Sequence, residues 1–246
     1  MKKHCTAILL AGGRGSRMGA EIPKQFMEVG GKPLIAYALE AVERSAILED
    51  CILVTAPEDM ERMRRTVLDR FSSGKVLAMA PAGSERCFSV ANGIRVLSEI
   101  RGSCDSGSGT TDILFILDGA RPFLTEGILE RCYESVLRYG SGVAAVPSKD
   151  TVRIADEKGF VIDTPVRSSV WNIQTPQAFF FPEIRDAYEA MVKAYEGKTP
   201  KDITDDACVY ERFASGTVHL AEGSYENLKV TTPEDLALME QILSHM

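Results

Sequence analysis

The sequence predicts an α/β fold with one Rossmann-like, mostly parallel twisted sheet, helices on both of its faces and a projecting β-hairpin arm. In the first 146 residues, short apolar runs alternate with longer segments of helical periodicity. Consecutive strands that are separated by helices are joined by right-handed crossovers, which makes the strands parallel and covers both faces of the sheet. The length of 246 residues suits one such domain, so we assign residues 1–246 to a single unit.

The parallel part of the sheet is predicted from strands and helices that alternate in order. The predicted elements are strands at 6–11, 51–55, 75–79, 112–117 and 142–146, and helices near 33–45, 57–71, 86–100 and 125–139. In the second helix, Met60, Met63 and Val67 recur on one stripe, as expected for a helix that packs against a sheet. Pro33 and Pro57 stand in the first turns of their helices, where proline is tolerated.

The pattern changes after residue 148. Short strands at 151–154 and 160–163 flank a polar turn and predict a hairpin arm at about 148–172. The remaining predicted elements are helices near 182–196 and 204–214, strands at 217–221 and 228–231, and a last helix from Pro233. Segment 102–109 is rich in glycine and serine, which is typical of a surface loop within a domain.

Composition disfavours several classes of protein. The net charge of −7 disfavours nucleic acid and anionic membranes as partners. The six cysteines include no C-x-x-C pair, which favours reduced thiols over disulfides or a zinc site. The first apolar run is too short for a signal peptide, and no other run is long enough to cross a bilayer. We therefore expect a cytoplasmic protein with no membrane and no nucleic-acid partner.

A glycine-rich turn follows the first strand. Its members are Ala11, Gly12, Gly13, Arg14, Gly15 and Arg17, with Lys24 shortly after. Glycines let backbone N–H groups approach phosphate oxygens, and the three cations favour a triphosphate ligand over a simple surface turn. A dinucleotide fingerprint is excluded because Met18 stands where its third glycine belongs, and a P-loop because Pro33 stands where it has Ser or Thr.

Segment 117–122 lies at the carboxyl end of the fourth predicted strand. Asp118 is thereby placed at the rim where open α/β sheets bind their ligands. A carboxylate beside a triphosphate needs a cation between them, and Mg²⁺ commonly takes one or two carboxylates together with phosphate oxygens. The sequence therefore predicts a Mg²⁺ site at Asp118. The alternative is that Asp118 only caps the next helix.

Four further segments contain residues that indicate little when taken one by one. These segments are 83–90, 174–179, 204–207 and 227–235. In segment 83–90, the backbone and the Ser89 hydroxyl could form hydrogen bonds with the edge of a nucleotide base, but a helix start capped by Ser84 explains the same residues. The other three are interpreted as turns and helix starts, with Thr204 as a cap and Thr232 before Pro233 as an ordinary helix start.

Together and in this order, the motifs resemble those of the 2-C-methyl-D-erythritol 4-phosphate cytidylyltransferases of the non-mevalonate isoprenoid pathway. The motifs are A-G-G-x-G-x-R-M with P-K-Q, Q-T-P-Q-x-F, T-D-D-A and N-x-K-V-T-x-P-E-D-L, and they span residues 7–236. The first is shared with many sugar-nucleotide pyrophosphorylases, whereas the last three together are much more specific. The resemblance implies transfer of CMP from CTP to a small polyol phosphate with Mg²⁺, in a homodimer whose arm crosses to the partner.

The resemblance also implies roles for individual residues. The implied catalytic residues are Arg17, Lys24 and Lys229, which contact the CTP phosphates. The implied nucleotide-binding residues are Ala11, Gly12, Gly13, Gly15, Gly83, Ser84, Ser89 and Asp118, and Asp118 is also the implied metal ligand. The implied acceptor-binding residues are Arg121, Thr151, Arg167, Thr175 and Thr204. The family usually has His-Asp-Ala-Ala-Arg-Pro where this chain has Leu117 and Gly119 around the retained Asp118.

Three alternatives stay open at this point. Ribitol-5-phosphate cytidylyltransferases share most of these motifs. A non-catalytic nucleotide-binding homologue is disfavoured because Arg17, Lys24, Asp118 and Lys229 are retained together. A glycosyltransferase would normally have an Asp-x-Asp metal motif, and the second acid is missing after Asp118.

Overall fold

The computed structural model describes residues 2–13, 22–72, 74–102 and 111–244. The strands are β1 (Cys5–Ala11), β2 (Glu28–Val29), β3 (Lys32–Pro33), β4 (Leu48–Thr55), β5 (Val76–Pro81), β6 (Ile113–Asp118), β7 (Ser141–Pro147), β8 (Ile154–Ala155), β9 (Val161–Asp163), β10 (Trp171–Phe180) and β11 (Leu220–Glu222). The α-helices are α1 (Leu34–Arg44), α2 (Met60–Met63), α3 (Asp69–Phe71), α4 (Arg86–Gly102), α5 (Glu126–Tyr139), α6 (Phe181–Ala194), α7 (Asp206–Val209) and α8 (Pro233–Ser244).

The central sheet has seven strands in the order β11-β7-β10-β6-β1-β4-β5. Strand β1 pairs in parallel with β4 and β6, β4 pairs in parallel with β5, and β7 pairs in parallel with β11. Strand β10 runs antiparallel between β6 and β7. The prediction of a mostly parallel α/β sheet is therefore confirmed.

Helices cover both faces of this sheet. One core contains Ile35 of α1 and Ile128 of α5, and the other contains Val90 of α4 and Ile184 of α6. Every residue of β6 is buried between these layers, which explains the apolar run over its first five residues, before Asp118. Helix α5 ends at Gly140, which adopts a left-handed conformation with φ of 87°. In the described part of the chain, no helix combines the length and apolarity that a bilayer crossing requires.

Strand β10 is the largest difference from the sequence-based prediction. Segment 174–179 was predicted to form turns, but it lies within β10 and is buried. Pro176 has no N–H for the ladder, and pairing with β7 is interrupted between Ile173 and Gln177. The prediction was wrong because two flanking strands hold a polar, proline-containing segment extended, which its local pattern does not indicate.

Two other elements differ from their predictions. Segment 228–231 is not a strand, since the N–H of Val230 donates to Ala120 O at 2.8 Å, outside the sheet. The helix predicted near 204–214 begins as α7 and continues as a π turn over Tyr210–Ala214. Its cap is Asp205 rather than Thr204, because the Asp205 carboxylate accepts the N–H of Cys208 at 2.9 Å.

The predicted hairpin arm is present as β8 and β9, which pair antiparallel. Its turn is held by Asp156, whose Oδ1 accepts the N–H groups of Lys158 and Phe160, both at 2.9 Å. Every residue of β8 and β9 is exposed, including apolar ones. Phe160 is 69% and Ile162 66% exposed, so the arm presents apolar surface to its surroundings.

Candidate active site

The ends of three parallel strands meet at the carboxyl edge of the sheet. Leu10 of β1 pairs with Asp118 of β6, and the N–H of Gly119 donates to Leu10 O at 2.9 Å. On the other side of β1, the N–H of Ala82 donates to Thr55 O at 2.7 Å. The start of the glycine turn, as far as Gly13, and the segments that follow β5 and β6 therefore converge at the edge where open α/β sheets bind ligands.

A cavity of about 630 Å³ opens at this edge, a volume within the usual range of small-molecule sites. Nine of the predicted site residues line it: Ala11, Gly12, Gly13, Lys24, Gly83, Ser84, Ser89, Asp118 and Lys229. The predicted residues Gly15 and Arg17 lie outside the described residues. The structure thus brings the start of the glycine turn, Lys24, Lys229 and Asp118 into one cleft.

Asp118 stands at the bottom of the cavity among three cations. Its carboxylate lies 2.8 Å from Lys229 Nζ, 3.4 Å from Arg86 Nε and 3.8 Å from Arg121 Nε. Burial alone would raise the pKa of Asp118, but the cations outweigh burial and hold the pKa well below its ordinary value of 3.8. The carboxylate is therefore ionised at neutral pH. Asp118 does not cap the next helix, because α5 begins only at Glu126.

The segment after β11 brings Lys229 to the cavity. The backbone N–H of Val230 in this segment donates to Ala120 O, two residues beyond Asp118. Lys24 Nζ donates to Val230 O at 3.0 Å. These contacts fasten the C-terminal segment to both the strand end and the region after the glycine turn. Two lysines that are distant in sequence therefore reach the same cleft.

Two predicted acceptor-binding residues lie behind Asp118. The N–H of Asp118 donates to Thr175 Oγ1 at 3.0 Å, and Arg121 NH1 donates to Asn227 O at 2.6 Å. Thr175 is 5% exposed, and neither Thr175 nor Arg121 lines the cavity. In this structure they support the Asp118 carboxylate and the segment that carries Lys229.

The other predicted acceptor-binding residues lie apart from the main cavity. Thr204 lines a small cavity of about 60 Å³, which shares Glu85 and Arg86 with the larger one. Thr151 and Arg167 are exposed on the arm, where Arg167 NH2 donates to Thr151 Oγ1 at 2.9 Å. Within a single chain, the arm does not bring these two residues to the cavity.

The segment between β5 and α4 forms a tight turn at the cavity wall. The N–H of Gly83 donates to Ser89 Oγ at 2.9 Å, and the Ser89 hydroxyl donates to Glu85 O at 3.1 Å. A Cβ at Gly83 would lie 2.5 Å from Phe88 Cβ, so the close approach requires glycine. Ser89 thus holds the turn in shape, and recognition of cytosine by this turn stays a prediction.

The sequence analysis missed a buried group of charges beside the cavity. Arg86 donates through NH1 and NH2 to Asp206 Oδ1 and Oδ2, both at 2.8 Å, and Tyr188 OH donates to Asp206 Oδ1 at 2.5 Å. Burial and the Asp206 charge raise the pKa of Tyr188 well above its ordinary value, so the hydroxyl remains a donor. The sequence feature that could have indicated this group is a charged residue in each of two motifs, 83–90 and 204–207.

The departure at Gly119 has a packing explanation. A Cβ at this position would lie 2.3 Å from Ile35 Cδ1 and 2.8 Å from Leu10 O. The Ile35 side chain of α1 therefore fills the space that a methyl group would need, and Leu117 is 2% exposed in the core beside it. The unusual residues adjust the packing behind Asp118 and leave its carboxylate in the cavity.

Of the residues that the structure describes, Asp118 and Glu85 contribute the carboxylates that line the cavity. Among the described residues, no group of three or more His, Cys, Asp or Glu side chains could hold a metal ion. Mg²⁺ at nucleotide sites commonly takes one or two carboxylates and completes its shell with phosphate oxygens and water. The donor set therefore fits Mg²⁺ that binds together with a triphosphate.

A family profile for 2-C-methyl-D-erythritol 4-phosphate cytidylyltransferase matches residues 5–245. The chain belongs to this family. A 2-C-methyl-D-erythritol 4-phosphate cytidylyltransferase of Lachnospira eligens is 40% identical over 233 residues, which cover 95% of this chain and 96% of the relative. One of Pelotomaculum thermopropionicum is 39% identical over 238 residues, covering 96% and 93%.

Solved structures of cytidylyltransferases also match. The 4-diphosphocytidyl-2C-methyl-D-erythritol synthase of Anaerococcus prevotii superimposes with a TM-score of 0.80 at 29% identity, covering 99% of this chain and 97% of that one. The cytidylyltransferase of Thermus thermophilus gives a TM-score of 0.69 at 25% identity, covering 96% and 98%. These matches confirm the α/β fold and the resemblance inferred from the motifs, and with them the nucleotidyltransferase class.

Proposed function

We propose that this cytidylyltransferase transfers CMP from CTP to 2-C-methyl-D-erythritol 4-phosphate and releases pyrophosphate, a step in isoprenoid precursor synthesis. The observation that carries the proposal is the shared cavity, in which Gly12 and Gly13, Lys24, Lys229 and Asp118 surround one nucleotide-sized space. The chain has a net charge of −7, so the local concentration of cations at this cavity favours an anionic ligand there.

The reaction needs no nucleophile from the protein. A phosphate oxygen of the acceptor attacks the α-phosphorus of CTP, the bond from that phosphorus to its bridging oxygen breaks, and pyrophosphate leaves with the bonding electrons. The attacking phosphate is already an anion, so no general base is required. In keeping with this, neither His4 nor His219 lines the cavity, and His245 lies outside the described residues. The protein positions two anions and neutralises the developing charge.

We assign this neutralisation to Lys24 and Lys229, together with Arg17. Lys24 is fixed by its bond to Val230 O and Lys229 by its ion pair with Asp118, so both ammonium groups are held at the cleft before CTP enters. Cations that are positioned in advance need no reorganisation when charge develops on the α-phosphate. For this reason, removal of one preorganised donor typically lowers the rate by about 10²–10³.

Asp118 would hold Mg²⁺ together with the triphosphate. The bound ion supplies neutralisation of phosphate charge, which favours both attack and departure of pyrophosphate. The chain's own residues keep the Asp118 carboxylate ionised, through the surrounding cations, and fix its backbone through Thr175. Gly12 contributes close backbone packing, since a Cβ there would lie 2.3 Å from Ala82 Cβ.

We also propose a homodimer in which the arm packs against a second copy of the chain. Phe160, Ile162 and Val166 are 69%, 66% and 71% exposed, and a two-stranded hairpin is marginally stable by itself. An arm that docks on the partner would bury these residues and carry Arg167 and Thr151 toward the partner's acceptor phosphate. Sedimentation analysis tests this: the unaltered chain should be dimeric, and Phe160→Ser with Val166→Ser should be monomeric.

A cytoplasmic location is supported by the cysteines. The described cysteines are free thiols, and burial raises the pKa of Cys5, Cys51 and Cys132 to about 12. Unpaired thiols that stay protonated at neutral pH suit a reducing compartment. Cell fractionation followed by detection of the chain in the cytoplasmic fraction tests this location.

Pyrophosphate release tests the proposed reaction directly. The purified chain is assayed with CTP, ATP, GTP and UTP, each against 2-C-methyl-D-erythritol 4-phosphate, ribitol 5-phosphate and other polyol phosphates, and the product is identified by mass spectrometry. We expect release with CTP and methylerythritol phosphate to exceed every other pair at least tenfold. Preference for ribitol 5-phosphate would reassign the acceptor, and CTP binding without pyrophosphate release would indicate a non-catalytic homologue.

A further inference from the structure

The ion pair of Arg86 and Asp206 determines where Arg86 directs its charge. Both terminal nitrogens of Arg86 donate to the Asp206 carboxylate at 2.8 Å, a bidentate geometry that fixes the orientation of the guanidinium. Nε alone is turned toward Asp118, at 3.4 Å from Oδ1. The contact of Arg86 with Asp118 therefore involves one nitrogen and is longer than an ordinary charge-assisted hydrogen bond.

Asp206 acts from within the fold. It is 0% exposed, it does not line the cavity, and its Oδ1 accepts the hydroxyl of Tyr188, a residue of α6 that is 1% exposed. A nucleotide in the cavity cannot touch this carboxylate. Any influence of Asp206 on a ligand therefore passes through Arg86, which does line the cavity.

Loss of the Asp206 charge would leave a largely buried guanidinium beside one remaining carboxylate, Asp118. A buried charge that loses its partner is strongly unfavourable, so Arg86 would turn its terminal nitrogens toward Asp118. That second bidentate pair would cover the carboxylate at the bottom of the cavity. The present arrangement prevents this, because Asp206 already occupies both terminal nitrogens.

We propose that Asp206, held by Tyr188, is a positioning residue that keeps the terminal nitrogens of Arg86 turned away from Asp118 and so leaves the Asp118 carboxylate available to the nucleotide and its cation. The inference rests on the proposed function only in taking CTP as the ligand of the cavity. Asp206 is not a catalytic residue in this role, since it touches neither substrate nor metal.

The variant Asp206→Asn keeps the size of the side chain and removes its charge. We expect the dissociation constant of CTP in the presence of Mg²⁺, measured by calorimetry, to rise at least tenfold, and the Mg²⁺ concentration for half-maximal turnover to rise likewise. CTP binding in EDTA should change less. If Asp206 were merely structural, its substitution would lower the melting temperature without a difference between CTP binding in Mg²⁺ and in EDTA. A dissociation constant and a Mg²⁺ requirement within twofold of those of the unaltered chain would overturn the proposal.

A second measurement asks whether Asp206 acts through Arg86. In the Arg86→Gln background there is no guanidinium to misdirect, so adding Asp206→Asn should change CTP binding less than twofold further. Independent, multiplying effects of the two substitutions would contradict the proposed route.

Tyr188→Phe provides a milder perturbation that retains the ring in the core. We expect it to raise the Mg²⁺ requirement about threefold, because the lost hydrogen bond loosens Asp206 only in part while both contacts with Arg86 remain. Tyr210→Phe is the matched control, since the Tyr210 hydroxyl donates to Glu183 at 2.5 Å, a similar bond outside the Arg86 group. Equal effects of the two variants on the Mg²⁺ requirement would overturn the proposal. If Asp206→Asn does not fold, this comparison of Tyr188→Phe with Tyr210→Phe takes its place as the test.

The binding measurements also separate this inference from the proposed reaction. If the unaltered chain binds CTP but releases no pyrophosphate with methylerythritol phosphate, the proposed reaction fails and the calorimetric comparison still decides the role of Asp206. If the unaltered chain does not bind CTP with or without Mg²⁺, both are overturned.

Discussion

Lys229 Nζ lies 2.8 Å from Asp118 Oδ2, and this contact joins the end of a central strand to the segment before the last helix. The Asp118 side chain is 10% exposed and that of Lys229 is 39% exposed, so the pair spans the boundary between the interior and the cavity. The exposed Lys229 end of the pair limits what this one contact adds to stability. Its position in the cavity that Gly12 and Gly13 also line is better explained by a polyanionic ligand.

Lys24→Ala should lower turnover at least 10²–10³-fold, because it removes a preorganised cation from the cleft. The fold should be retained, since Lys24 lies at the surface of the cavity and not in either core. Steady-state pyrophosphate release and a thermal melt measure the two quantities. Lys2→Ala is a suitable control, as Lys2 forms an exposed pair with Glu49 at the start of β1. Near-normal turnover of Lys24→Ala would remove Lys24 from the catalytic set.

Asp118→Asn should raise the Mg²⁺ concentration needed for half-maximal turnover at least tenfold, because the amide is a much poorer ligand for Mg²⁺. The melting temperature should also fall, because Lys229, Arg86 and Arg121 lose a charged partner. A Mg²⁺ titration of activity in both chains checks the prediction. Matching titration curves would show that Asp118 is structural and would remove it as the metal ligand.

The stability that the Asp118 carboxylate contributes should depend on pH in one direction. The pKa of Asp118 is depressed in the folded chain, so this contribution is fully present above its unfolded pKa and is lost as pH falls through the folded pKa. The excess unfolding free energy over Asp118→Asn should therefore be constant from about pH 5 to 8 and shrink below about pH 4. Urea denaturation of both chains across this range gives the difference. A difference that shrinks between pH 5 and 8 would contradict the depressed pKa.

Gly119→Ala should destabilise the fold by about 1–3 kcal/mol through overpacking against Ile35. Adding Ile35→Val removes Cδ1, the atom 2.3 Å from the new methyl group, and should restore part of the loss; Leu10 O at 2.8 Å remains. Gly102→Ala is the control, because a Cβ there meets nothing within 4 Å. The prediction is tested by the unfolding free energies of Gly119→Ala, of Gly119→Ala with Ile35→Val, and of Gly102→Ala. An unchanged stability of Gly119→Ala would show that Ile35 yields without cost.

Arg167→Ala should raise the KM for the acceptor at least tenfold and leave CTP affinity, measured by calorimetry, within twofold. The reason is that Arg167 lies on the arm, away from the glycine turn. Arg153→Ala, another exposed arm arginine, which donates to Thr164 at 2.8 Å, serves as the control. A loss of CTP affinity would show that Arg167 binds CTP and not the acceptor.

Mixing Arg167→Ala with Lys24→Ala tests whether the arm acts on the partner. If it does, a mixed dimer contains one site with both defects and one intact site. Random exchange should then restore about one quarter of the unaltered activity at low acceptor concentration, since half of the dimers are mixed and half of their sites are intact. If mixing restores no activity, either Arg167 acts within its own chain or the two variants do not exchange subunits. A pull-down with one tagged variant shows whether mixed dimers have formed.

Local pattern predicted most of the sheet and helices. The continuous apolar runs of β1 and β6 and the helical periodicity of α1 and α5 are properties of short segments, and each was identified close to its observed bounds. Strand β10 was missed because the pairing that keeps its polar middle extended comes from β6 and β7, which precede it by tens of residues. No periodicity within the segment carries that information.

The candidate site divides in the same way. The glycine turn, Lys24, Asp118 and Lys229 could be named from the sequence because their residue types and motif spacing suit a triphosphate. The tertiary structure decided that Gly12 and Gly13 of this turn meet the other three residues in one cavity, through the register of Leu10 with Asp118 and the bond of Val230 to Ala120. The pairing of Arg86 with Asp206 could not be predicted from the sequence, because opposite charges in two distant motifs become partners only when folding buries them together.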